Sequence, residues 1–105
     1  MNPELIPAVN QTLGISLPES ISFEKLREAV ATEISPLISG DFNRLLSILY
    51  RIDVNENKLK VLLKQNPDTD AALLIADLII ERQLQKIESR RMFNRREDME
   101  EDEKW

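Results

Sequence analysis

The run from Asp68 to Arg91, DTDAALLIADLIIERQLQKIESRR, contains neither Gly nor Pro, and its apolar residues recur at helical spacing. A helix of that length is about as long as a small domain is wide, so the remaining chain must pack along it. Asp68 follows Asn66-Pro67 and is placed to cap the first turn. Thr69 and Asp70 lie just inside, where acidic groups complement exposed backbone N–H groups and the positive end of the helix dipole. At about 100° per residue, Asp70, Asp77, Glu81 and Glu88 share one narrow strip, with Leu73, Ala76, Ile80, Leu84 and Ile87 to one side. Asp77 is therefore expected in solvent.

The two halves of this helix differ. Ala71 to Ile80 is apolar on nearly every other bearing, as befits an element with neighbours on several sides. Past Ile80 the apolar surface narrows to Leu84 and Ile87, spaced like a coiled-coil seam. This half either leaves the core or packs against a single partner.

The flanking sequence predicts an all-α fold, a small bundle of four main helices plus a short N-terminal one, with the long helix last. Residues 1–21 form an arm in which Gly14 and Pro18 close a short helix. Its apolar residues Leu5, Ile6, Val9, Leu13, Ile15 and Leu17 are expected to lie on the domain or on a partner subunit. Residues 22–93 form the helical domain. Ser22 caps a helix carrying Phe23, Leu26, Val30, Ile34 and Leu37 on one face; Pro36 either kinks it on the way to Ser39 or stops it at Ser35. Asp41 caps the next helix. Asp53, followed three residues later by Glu56, resembles a capping box opening a fourth helix, which Asn66-Pro67 ends. Links this short make consecutive helices near neighbours. Residues 94–105 form a charged acidic tail, with the helical pattern dissolving beyond Met92 and Phe93.

A chain of 105 residues makes one domain at most, and its only glycines, Gly14 and Gly40, disfavour sheets with tight turns. The absence of Cys and His removes thiol and imidazole nucleophiles, bases and metal ligands. Asp53-Val54-Asn55-Glu56-Asn57 alternates oxygen ligands like a calcium loop, yet Lys58 stands where the glycine belongs and Lys64 where the bidentate Glu belongs. Asp77 and Glu81, one turn apart, could serve a metal only with further carboxylates, and a solvated face is the plainer reading. No catalytic residue, cofactor or metal is expected, and no enzyme. The net charge of −5 opposes general nucleic-acid binding. No basic leader opens the chain and no apolar run approaches a membrane span, so a cytoplasmic protein without membrane contact is expected.

Two surfaces remain. Ile80, Leu84, Ile87, Met92 and Phe93 form the candidate partner interface, docking against a partner helix, most simply the same helix of a second copy in a homodimer. Lys86, Arg90, Arg91, Arg95 and Arg96, with Phe93 among them, form a candidate contact for phosphate or nucleic acid. The plainer reading of that cluster is compensation of the helix dipole. A further expectation is that the acidic tail folds back over it.

The stretch Asp41 to Arg90, through LLSILYRIDVNENKLK and IADLIIERQLQKI, resembles a family of short, uncharacterised, all-helical bacterial proteins. The resemblance implies a cytoplasmic helical protein and brings no catalytic motif or cofactor. The expected function is thus a non-enzymatic interaction or assembly module that self-associates through the long helix. The second reading is an accessory nucleic-acid-binding protein using that helix's basic end.

Overall fold

A computed structural model describes the backbone of residues 1–103 and the side chains of residues 1–93. Five helices follow one another: α1 (Leu5–Leu13), α2 (Phe23–Gly40), α3 (Phe42–Arg51), α4 (Glu56–Gln65) and α5 (Ala71–Glu103). No strand occurs among the described residues. The all-α architecture with a long final helix is therefore as the hydrophobic periodicity predicts. α5 spans about 50 Å at 1.5 Å per residue. Around it, α2 makes the most extensive contact, α1 and α4 pack alongside, and α3 packs on α2.

The core is continuous. Leu26, Val30 and Ile34 of α2, Leu45 and Leu49 of α3, Leu59 of α4 and Ala72, Ile75, Ala76, Ile79 and Ile80 of α5 are all buried in one cluster. Leu5, Ile6 and Val9 of α1 join the same cluster, so the N-terminal arm lies on its own domain. Gly14 ends α1 in the left-handed conformation (φ 67°) that only Gly adopts without strain. The following link is then tied back, because Asn10 Oδ1 accepts from the Leu17 N–H at 2.8 Å and its Nδ2 donates to the Leu17 carbonyl at 3.1 Å.

Of the two ends open to α2, the structure takes the longer: the helix runs through Pro36 to Gly40, because Leu37 and Ile38 still find core to pack against. Two helix starts differ from expectation. Asp53 does not cap α4: it sits at φ 65° in the turn that ends α3. There the Val54 N–H reaches the Leu49 carbonyl at 3.0 Å and the Asp53 N–H reaches the Tyr50 carbonyl at 3.1 Å, a Schellman ending. Asn55 takes the cap instead, accepting from the Asn57 and Lys58 N–H groups.

Asp68 is displaced in the same way. The Thr69 N–H donates to the Asn66 carbonyl, which makes Asn66-Pro67-Asp68-Thr69 a turn with proline at its favoured second position. α5 therefore starts two residues later, with Asp70 Oδ1 accepting from the Ala72 N–H at 2.9 Å. At the other end, the backbone stays helical past Phe93 to Glu103, since no Gly or Pro interrupts it and charge alone does not end a helix.

Candidate anion-binding groove

The second half of α5 finds its partners within the chain. α1 packs against α5, and the bond from Gln83 Nε2 to Thr12 Oγ1 sets the last turn of α1 beside this half. Gln83 is thereby satisfied although only 5% exposed. Ile80 and Ile87 are 2% and 0% exposed, and Leu84 is partly buried against the same core. This corrects the expected partner interface: Ile80 and Ile87 are buried in the chain's own core, so a second protein reaches neither without opening that packing. Met92 and Phe93 alone of that set stand well exposed, at 55% and 62%.

Asp77 is a further correction. It lies half-buried between α5 and α2, where Arg27 Nε donates to Oδ1 at 2.6 Å and Nη2 to Oδ2 at 3.0 Å. This two-pronged pairing holds the Arg27 guanidinium above its already high ordinary pKa, through the hydrogen bond first and the carboxylate's charge second. Glu81, one turn on, pairs separately with Lys58 at 2.9 Å. The two carboxylates thus serve different interhelical contacts.

Beside α1, between the end of α3 and the second half of α5, lies a groove of about 850 Å³. Arg82, Lys86 and Arg90 line it at four-residue steps along one face of α5, and Arg51 lines it from the last turn of α3. Among the described residues no Asp or Glu lines it. Gln11, Gln83 and Ser89 add hydrogen-bonding groups, and Phe93 closes one end of the row.

The four cations do not have equal freedom. Arg82 is a staple: its Nε donates to the Ile52 carbonyl at 3.1 Å, and its Nη2 stands 3.8 Å from the Asp53 carboxylate. That bond answers a carbonyl left open at the end of α3 and fastens α3 to α5. Arg51, Lys86 and Arg90 make no ion pair among the described residues. Three positive charges on one concave wall, with no neutralising partner among the described residues, raise the local potential of a chain that is acidic overall.

Of the basic residues singled out in the sequence, Lys86 and Arg90 enter the groove, while Arg91 is exposed outside its lining. The side chains of Arg95 and Arg96, and those of the acidic tail expected to cover the cluster, lie outside the described residues. Sequence reasoning missed Arg82, although the row Arg82, Lys86, Arg90 is visible at helical spacing. It also missed Arg51, which only the packing of α3 brings near.

No family model matches this chain, and no curated protein or solved structure matches it either. The resemblance of Asp41 to Arg90 to short bacterial helical proteins gains no support from these comparisons, and the functional reading rests on the groove.

Proposed function

We propose that the protein is a non-enzymatic binding module that takes an anionic, phosphate-bearing ligand in the groove between α1, α3 and α5. The single observation that carries the reading is the convergence of Arg51, Lys86 and Arg90, unpaired among the described residues, on a wall without carboxylates. Arginine presents a planar fork of donors suited to phosphate oxygens, and lysine a compact charge. A chain without His or Cys offers little for covalent or general-base chemistry at neutral pH, which favours binding over catalysis. An internal, reducing compartment suits such a chain.

The reading is tested by titrating the full chain with inorganic polyphosphate at a series of salt concentrations. Three engaged cations predict that log affinity falls with log salt at a slope of about −2 to −3, and that Arg51→Gln and Arg90→Gln each lessen the slope by roughly 1. No binding at low salt, or equal binding by the double variant, would refute it.

Self-association through the exposed end of α5 is a second reading, supported by Met92 and Phe93 standing open where the helix has passed its neighbours. Light scattering across a broad concentration range tests it. A dimer that Met92→Ser with Phe93→Ser converts to monomer supports it, and a wild-type monomer throughout refutes it. Among the described residues no helix is long and apolar enough to cross a membrane.

A further inference from the structure

We infer that the ligand of the groove is a single-stranded nucleic acid, with a base stacked on Phe93 and neighbouring phosphates held by Arg90, Lys86 and Arg51. The inference rests on the groove binding phosphate at all, and adds what the row of cations leaves open, the class of molecule that carries the phosphate.

Three observations lead to it. Phe93 lies three residues beyond Arg90 and seven beyond Lys86, so its ring shares their face of α5, and it lines the same groove. It is 62% exposed. Cations alone suffice for inorganic phosphate or an acidic peptide. A water-facing aromatic ring at the end of a cationic row adds a stacking platform that suits a ligand carrying both phosphates and planar rings. Arginine beside it contributes both charge and a flat surface for the adjoining base.

The second observation is spacing. Lys86 and Arg90 stand one helical turn apart, a rise of about 6 Å, which suits successive phosphates of an extended strand. Gln11 and Ser89, both exposed on the groove, offer hydrogen-bonding groups to sugar hydroxyls or base edges.

The third is overall charge. A duplex carries a charge about every 1.7 Å of axis and is repelled by a protein of net charge −5 beyond the few residues of the groove. A single strand carries fewer charges per unit length and bends into a short concave site. Its unpaired bases also present the faces that a duplex hides.

The test uses the full chain and titration calorimetry at low salt. Its four probes are a mixed-sequence RNA of about eight nucleotides, a DNA duplex, inorganic polyphosphate and polyglutamate, matched in charge. The RNA is expected to bind most tightly. Phe93→Ala is expected to weaken RNA binding roughly five- to a hundredfold, the range for losing one stacked base, while leaving polyphosphate binding unchanged. Phe93→Trp should retain RNA binding. Because Phe93 is exposed, neither variant should disturb folding, and unchanged far-ultraviolet circular dichroism checks this. An RNA affinity that Phe93→Ala leaves intact overturns the inference, as does duplex, polyphosphate or polyglutamate binding as tightly as RNA. If polyphosphate binds and shows the expected salt slope, the underlying groove reading survives that failure. If none of the four binds, both fall.

Discussion

The first and second halves of α5 share one helix and little else. From Ala72 to Ile80 the helix buries residues on most of its circumference, because α2, α4 and α1 surround it. From Glu81 onward, among the described residues, burial shrinks to Gln83 and Ile87, with Leu84 half-covered, and past Ile87 every described residue is exposed. The first half is committed to folding. The second carries cations and an aromatic ring on a rigid rod held by the first, so its side chains are placed without being used up in packing. A site on a helix anchored at one end keeps its geometry better than one on a loop.

That division predicts a gradient of mutational cost along one helix. Ile79→Asp puts a carboxylate where exposure is 0% and no cation has been placed to meet it. The cost should be several kcal/mol, comparable with the whole stability of a domain this size, and far-ultraviolet circular dichroism should show an unfolded chain at 25 °C. A folded Ile79→Asp variant would mean that the first half is not the core. Next comes Ile87→Ala, which removes a side chain of 0% exposure at the edge of the cluster. Urea denaturation should show a loss of about 2 to 5 kcal/mol if α1 and its neighbours cover this residue as closely as the burial implies. A loss below about 1 kcal/mol would mean that this end opens readily, and would revive the seam as a surface for other proteins.

The smallest effect should come from Asp77→Asn, which keeps the shape but removes the charge opposite Arg27. Both side chains are more than one-third exposed, so solvent screens the pair and the melting temperature should drop only slightly, by an amount that added salt erases. On the cation's side no pH dependence arises. Arg27 is raised in the folded protein, so its share of stability is complete below its unfolded pKa and is lost only above it, beyond any ordinary pH. A large drop on Asp77→Asn would place this ion pair among the determinants of the fold.

Much of this is legible in the sequence. The change of pattern at Ile80 marks the real division of α5, and the row Arg82, Lys86, Arg90 can be traced by counting in fours. Helix starts were less legible. Asp53 and Asp68 both look like caps, yet each lies in a turn that closes over it, and the capping went to Asn55 and Asp70 two residues later. Side-chain chemistry at a helix start is local, but whether the backbone has finished its preceding turn depends on how the previous helix ends.

The periodicity of apolar residues, together with the scarcity of glycine, determined that this chain is helical, and the absence of His and Cys removed imidazole and thiol chemistry from it. Those properties follow from side-chain identity and from the short-range geometry of the helix. Which surface α1 would cover was decided only by tertiary packing. The stripe of Ile80 and Ile87 would serve a second copy as well as it serves the chain's own core, and the periodicity is the same in either case. A covalently linked helix is present at high effective concentration and needs no second molecule to be immobilised. Arg51 reached the groove by the same route, since it stands 31 positions from Arg82 in the chain and only the folding of α3 against its neighbours brings both to one groove.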